Sequence, residues 1–297
     1  MAANKLKLDI KSLVKKLDIS TKTLTTSGLM GGYKTSFKGT GLEFEEFRRY
    51  NIGDDASLID WRASVKSDDL LIKTFNEERS LDVFFLLDVS NSMLFGSTNK
   101  LKCQYAAEVV ASMAFAVMNS DDNIGLGMFS KKMINRIYPN AGEKQYYSVL
   151  NQLVDLNLYG GEYDLGEALK FIVPFLQRSS ILIIVSDFIG LKGEWKKYLK
   201  MACNKFDVIA IMIKDPRDRE LPIGVGDVVI SSPYSQEKIT IKPDMLKEEY
   251  ETYVREEEKQ LEFIFENNMA DFLLLTTDKP FVTPIVKLFK KRSLKFR

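Results

Sequence analysis

The chain has 297 residues, of which 45% are hydrophobic, and 42 Lys and Arg against 41 Asp and Glu give a formal net charge of +1. A net charge this close to zero argues against a nucleic-acid partner, because nucleic-acid-binding proteins usually carry a clear basic excess. The chain contains no histidine, which excludes Ser-His-Asp catalysis, imidazole acid–base chemistry and histidine-ligated zinc.

The cysteines and the apolar segments predict the compartment. Cys103 and Cys203 cannot build a disulfide framework, so we expect a reducing environment. Residues 1–16 alternate Lys with Leu and Ile, and no later segment is apolar over the length that a membrane span requires. We therefore predict a cytoplasmic protein with no membrane span.

Residues 1–80 are predicted to form an N-terminal extension packed on the main domain. Five apolar residues recur there at helical spacing with lysines on the other faces: Leu6, Ile10, Leu13, Val14 and Leu17. The pattern predicts a short basic amphipathic helix, whose lysine face would contact solvent, a membrane surface or a partner groove. Residues 23–41 are rich in Thr, Ser and Gly, which predicts loop and short strands.

Residues 41–64 mix both signs of charge with aromatic side chains. Two interpretations stay open for this stretch. It is either a lid whose charges pair with one another, or a docking surface on which Arg48, Arg49 and Arg62 meet an acidic partner. Residues 72–75 then read as a strand.

The main domain is predicted over residues 81–297 and begins with the apolar run Val83–Leu87. Five consecutive large apolar residues predict a strand covered on both faces, as in a parallel sheet flanked by helices. Asp88, Ser90 and Ser92 follow directly, at the end of the strand where open α/β sheets bind their ligands. Oxygen ligands at this spacing suit a hard divalent cation.

Strands and helices then alternate, which predicts a doubly wound, mostly parallel α/β sheet. The predicted helices cover residues 102–118, 144–156, 243–266 and 282–289, with further helices opening at Asp164 and containing Leu199. The predicted strands cover residues 123–129, 134–138, 181–185, 208–213 and 272–275. Residues 217–242 break the alternation and predict an inserted or edge hairpin, and the basic C-terminus predicts a solvated tail.

Two motifs carry a resemblance to known families. Asp88-Val89-Ser90-Asn91-Ser92 matches the D-x-S-x-S signature of von Willebrand factor A domains, and Asp187, at the end of a predicted strand, matches their later acid. Residues 39–62 resemble the G-x-G-x-E-F…R-x-Y…G-D-D…I-D-W hallmark of the bacterial domain-of-unknown-function fifty-eight family. The resemblance implies a von Willebrand factor A-like (Rossmann-like) fold with a metal-ion-dependent adhesion site.

The implied site holds Mg²⁺ through Asp88, Ser90 and Ser92, with Asp187 acting through water and one position left for a partner's carboxylate. The sequence departs from the family where a threonine is usual, because Tyr163 stands there and Glu162 precedes it. A phenol rarely serves as a neutral magnesium ligand, whereas Glu162 is a harder candidate ligand.

The resemblance also implies a function. The family usually works with a MoxR-type AAA+ ATPase in assembling or maturing other proteins, and this chain contains no G-x-x-x-x-G-K-S/T phosphate loop of its own. We therefore predict a non-enzymatic adaptor that binds an acidic side chain of a protein partner. The alternatives are a Mg²⁺-dependent phosphatase with Asp88 as nucleophile, RNA binding through the basic ends, or helix capping by Asp88 and Asp187.

Overall fold

The computed structural model describes residues 43–51, 54–67, 69–76, 80–177 and 180–295. The predicted basic helix and the Thr- and Gly-rich segment after it lie outside the described residues. The described chain falls into two compact units, one within residues 34–80 and one that begins at Leu81.

The smaller unit is a two-stranded antiparallel sheet of β1 (Glu43–Arg49) and β2 (Leu71–Asn76), with a short helix α1 (Trp61–Ser67) in the connection. Arg48 donates two hydrogen bonds to the carboxylate of Asp54, at 2.7 and 2.8 Å. These bonds are the main reason that the pKa of Asp54 falls to about 2. Part of the mixed charge of this stretch is therefore paired within the unit.

The larger unit is built on a six-stranded sheet and carries a separate hairpin. Its strands are β3 (Asp82–Asp88), β4 (Asn123–Phe129), β5 (Met133–Asn140), β6 (Ile181–Ser186), β7 (Asp207–Lys214), β8 (Val228–Ser231), β9 (Lys238–Ile241) and β10 (Asp271–Thr276). The order across the main sheet is β10-β7-β6-β3-β4-β5. All neighbours are parallel except the edge strand β5, which is antiparallel to β4. This is the strand order of a doubly wound α/β fold, so the predicted fold class is confirmed.

Helices cover both faces of the main sheet. They are α2 (Lys102–Met118), α3 (Glu143–Leu153), α4 (Leu165–Phe175), α5 (Trp195–Cys203), α6 (Pro216–Arg219), α7 (Pro243–Asn267) and α8 (Val282–Lys295). Val83, Phe85 and Leu87 of β3 face the core under α2, α3 and α8. Phe84 and Leu86 point to the opposite core, under α4, α5 and α7. Because alternate side chains of a strand point to opposite faces, the apolar run of β3 fills both layers, as predicted.

Most predicted elements are confirmed within a few residues, including the β8–β9 hairpin within residues 217–242. The cap of α4 is also confirmed, because the Asp164 carboxylate accepts a hydrogen bond from the Glu167 backbone N–H at 3.0 Å.

The prediction of a solvated C-terminal tail was wrong at Arg292. Helix α8 continues to Lys295 and buries the Arg292 guanidinium against Asp207 and Asp271. None of the helices within the described ranges is long and apolar enough to cross a membrane.

Asp122, in the turn before β4, provides a test of pH dependence. Its carboxylate accepts a hydrogen bond from the Leu81 N–H at 2.7 Å, and burial raises its pKa from 3.8 to about 6. The fold therefore favours the protonated form, and this contribution to stability is complete below the ordinary pKa and lost as the pH rises through about 6. We expect Asp122→Asn to raise the melting temperature by a few degrees at pH 8 and not at pH 4, as measured by thermal denaturation.

The matched control is Asp227→Asn, at an exposed aspartate, which should behave as wild type at both pH values. A melting temperature for Asp122→Asn equal to that of wild type at pH 8 would contradict the role of the buried carboxylate.

Candidate functional site

The candidate site lies at the carboxyl edge of the sheet, where β3 and β6 end side by side. The two strands pair in parallel, with Leu87 opposite Val185, so the residues that follow them meet at one edge. Asp88 and Ser186 are the last residues of these strands, and the Ser186 hydroxyl donates a hydrogen bond to Asp88 Oδ2 at 2.7 Å. The geometry thus joins two segments that lie almost one hundred residues apart in the sequence.

Asp88 is fully buried, and each of its carboxylate oxygens accepts a hydrogen bond. The second bond comes from the backbone N–H of Ser90, which donates to Asp88 Oδ1 at 2.8 Å. Burial, followed by the nearby charge of Asp187, raises the pKa of the Asp88 carboxyl well above its usual range. Asp88 therefore fixes the start of the loop that carries Ser90 and Ser92.

Asp187 forms an ion pair with a buried lysine that no sequence pattern indicated. The Lys102 ammonium, at the start of α2, donates to Asp187 Oδ2 at 2.7 Å and to Asp218 Oδ2 at 2.8 Å. Burial lowers the pKa of Lys102, but the two carboxylates outweigh that effect, and the pKa is raised overall. Asp187 Oδ1 accepts a hydrogen bond from the Ile189 N–H at 2.9 Å.

A second contribution that the sequence did not indicate comes from Tyr234, in the turn between β8 and β9. The hydroxyl oxygens of Ser90 and Ser92 lie 3.3 Å apart. The Tyr234 hydroxyl is 3.0 Å from Ser90 Oγ and donates to Ser92 Oγ at 2.8 Å. Three hydroxyl groups therefore form a small triangle at the edge of the sheet.

Tyr163 and Glu162, where the sequence departs from the family pattern, lie in different surroundings. Tyr163 is buried, and its hydroxyl lies 3.3 Å from Ser186 Oγ. Burial raises the pKa of Tyr163 well above its ordinary value, so the phenol is neutral. Glu162 lies on the surface with its side chain 49% exposed, and it pairs with Lys131 at 3.0 Å. The structure brings Tyr163 to the cluster and leaves Glu162 outside it.

The donor set at this edge fits a hard cation in its chemistry. Neighbouring ligands of Mg²⁺ at about 2.1 Å lie about 3.0 Å apart, close to the spacing of the two serine hydroxyls. Across the described ranges, no group of three or more Asp, Glu, Cys or His side chains is placed to hold a metal ion. A cation at this site would therefore depend on the hydroxyl groups of Ser90 and Ser92 together with Asp88.

The strand order and this polar cluster define the class of protein, a doubly wound α/β domain with a buried polar cluster at the carboxyl edge of its sheet. Residues 46–260 match the model of the family described as "Protein of unknown function DUF58". The chain belongs to that family, as the resemblance of residues 39–62 indicated.

Two curated relatives align with the chain, one over most of its length and one over about a third of it. The uncharacterized protein Rv1480 of Mycobacterium tuberculosis is 25% identical over 280 residues, which cover 93% of this chain and 87% of the relative. The uncharacterized protein YeaD of Bacillus subtilis is 27% identical over 107 residues, or 36% of this chain and 24% of YeaD.

Among solved structures, an aerotolerance-related membrane protein from Bacteroides fragilis aligns with a TM-score of 0.50 at 15% identity, covering 71% of this chain and 100% of that chain. This likeness concerns the fold alone. A von Willebrand factor type A structure from Catenulispora acidiphila aligns with a TM-score of 0.43 at 12% identity, over 76% of this chain and 44% of that one.

Proposed function

We propose that this chain is a non-enzymatic protein-binding adaptor whose carboxyl-edge cluster holds Mg²⁺ and, with it, an acidic side chain of a partner. One observation carries the proposal. The fold brings Asp88, Ser90, Ser92 and Asp187 from two adjacent strand ends to a single edge, where ligands of doubly wound sheets bind.

Each residue has a distinct part in this proposal. Ser90 and Ser92 supply hydroxyl oxygens, and Asp88 holds the loop through the Ser90 N–H. Asp88 supplies negative charge once a bound cation offsets the burial that raises its pKa. Asp187 acts at longer range, since Lys102 already occupies one of its oxygens. Bound Mg²⁺ would supply a hard positive charge that accepts an oxygen ligand from the partner. Lys102 lowers the repulsion between the two buried aspartates and keeps them side by side.

Calorimetric titration with millimolar Mg²⁺ tests the cation site. Wild type should give a saturable binding heat, and Asp88→Ala should abolish it because the buried carboxylate supplies the negative charge. Glu162→Gln is the matched control, and it should leave the heat unchanged because Glu162 lies outside the cluster. No heat with wild type, or equal heat with Asp88→Ala, would contradict the proposal.

We further propose a MoxR-type AAA+ ATPase as the partner that supplies energy. The resemblance of residues 39–62 implies this partner, and the sequence contains no phosphate loop of its own. Co-elution of this chain with such an ATPase in size-exclusion chromatography, present with Mg²⁺ and lost with a chelator, is the expected result. Separate elution under both conditions would contradict it.

The geometry supports binding better than the alternative phosphatase chemistry. A nucleophilic aspartate must be open to a phosphoryl group that enters from solvent. Asp88 is fully buried, and both of its oxygens accept hydrogen bonds. Turnover of a generic aryl phosphate that is lost in Asp88→Asn would reverse this assignment.

A further inference from the structure

Tyr234 is placed where an incoming ligand of the serine hydroxyls would bind. Its hydroxyl donates to Ser92 Oγ at 2.8 Å and lies 3.0 Å from Ser90 Oγ and 3.3 Å from the carbonyl oxygen of Ile189. The hydrogen bond from Tyr234 occupies one of the two lone pairs of Ser92 Oγ, and Ser90 Oγ lies 3.3 Å from the same atom, so little room around that oxygen is left for a cation. The phenol and a ligand therefore compete for the same oxygen atoms.

We propose that Tyr234 is an intramolecular latch that closes the carboxyl-edge site and is displaced when the site binds its cation and the partner's carboxylate. The inference rests on the proposed function and specifies how that site is regulated. A neutral phenol is a weaker ligand for a hard cation than a carboxylate. Tyr234 is thus suited to covering the serine hydroxyls in the unbound protein, and it is replaceable by a stronger oxygen ligand.

The surroundings of the ring show how the latch is held closed. The position of a Cβ on Gly190 would lie 2.9 Å from the Tyr234 ring, and Gly190 has a φ of +88°. Glycine is therefore required there both by the backbone conformation and by the close approach of the ring. The turn that carries Tyr234 is also hydrogen-bonded to the loop after β3, because Asn91 Nδ2 donates to the carbonyl oxygen of Pro233 at 3.2 Å.

The element that carries Tyr234 is suited to moving. Strands β8 and β9 pair as a two-stranded sheet, separate from the main sheet. Their residues are exposed except for Val228 and Ile241 at the base, which are half-buried. An isolated two-stranded hairpin has little stability of its own. The hairpin can therefore swing away at the cost of a few hydrogen bonds and of the packing of the Tyr234 ring against the core.

The test compares Mg²⁺ binding by wild type, Tyr234→Phe and Tyr253→Phe of the full chain, using calorimetry. Tyr234→Phe removes the hydroxyl group and keeps the ring that packs over Gly190. Tyr253 is exposed on α7, so Tyr253→Phe is the matched control. Since the hydrogen bonds of one hydroxyl are at stake, we expect Tyr234→Phe to bind Mg²⁺ roughly tenfold more tightly than wild type. Tyr253→Phe should bind as wild type does.

A second measurement follows the latch in wild type, without any substitution. Hydrogen exchange of the amides of residues 228–241 should become faster when saturating Mg²⁺ is added, because the hairpin is released. Amides of the buried strand β6 should show no change.

Each outcome bears on a different claim. Equal affinity of wild type and Tyr234→Phe, or unchanged hairpin exchange, would overturn the latch and leave the cation site standing. Weaker binding by Tyr234→Phe would show that Tyr234 is itself a ligand and would also overturn the latch. Absence of binding heat from all three proteins would overturn the latch and the proposed cation site together.

Discussion

Replacing Lys102 by methionine is expected to lower the free energy of unfolding by about 3–5 kcal/mol, the usual cost of removing one partner from a buried ion pair. Lys102 is 1% exposed and lies between the carboxylates of Asp187 and Asp218. Methionine fills similar space but leaves Asp187 buried beside Asp88 without a compensating cation. Urea denaturation at pH 7 measures the loss.

Two further variants separate charge from packing at this position. Lys197→Met removes an exposed lysine paired with Glu194, and a surface pair of this kind contributes at most about 1 kcal/mol. Lys102→Met combined with Asp187→Asn should recover part of the lost stability, because the uncompensated charge is gone. A loss in Lys102→Met no larger than in Lys197→Met would contradict the account of the buried cation.

Arg292→Met is expected to have an effect of the same size at the opposite edge of the sheet, about 3–5 kcal/mol of unfolding free energy. The Arg292 guanidinium is 2% exposed and forms ion pairs with Asp207, at the start of β7, and Asp271, at the start of β10. It thereby joins the C-terminal helix to two neighbouring strands. Without it, the partly buried carboxylates of Asp207 and Asp271 would lose their ion pairs with Arg292.

Arg255→Met is the control for this second variant. Arg255 pairs with Glu251 on the surface of α7 with its side chain 64% exposed, so its loss should change stability by less than about 0.5 kcal/mol. Similar denaturation midpoints for Arg292→Met and Arg255→Met would show that the C-terminal helix is held mainly by its apolar contacts.

The strands and helices of the main domain were largely predictable, because their hydrophobic pattern follows directly from burial. The run Val83–Leu87 has no polar face and fills two core layers, as such a run must. Strand β1 was not predicted, since its residues mix charge with phenylalanine, and the antiparallel partner β2 is more than twenty residues away. Because β1 has no regular alternation of polar and apolar residues, its sequence did not indicate a strand, although its backbone pairs with β2.

The candidate site was predictable only in the part that adjoins the strand ends. Asp88, Ser90 and Asp187 could be placed together, because the carboxyl ends of parallel strands share one edge. Lys102 and Tyr234 gave no sequence signal. Lys102 resembles any basic residue at the start of a helix, and Tyr234 reaches the serines from a hairpin 142 residues away from Ser92. Such contacts depend on where the β8–β9 hairpin packs against the rest of the domain, and local sequence patterns do not indicate that position.

The most direct test of metal-dependent partner binding is affinity capture from a cell extract with immobilised wild type and Asp88→Ala, each with Mg²⁺ and with a chelator. We expect wild type with Mg²⁺ to retain a defined set of proteins that is lost with the chelator and absent from Asp88→Ala under both conditions. Retention of the same proteins by wild type and Asp88→Ala, regardless of Mg²⁺, would contradict the account.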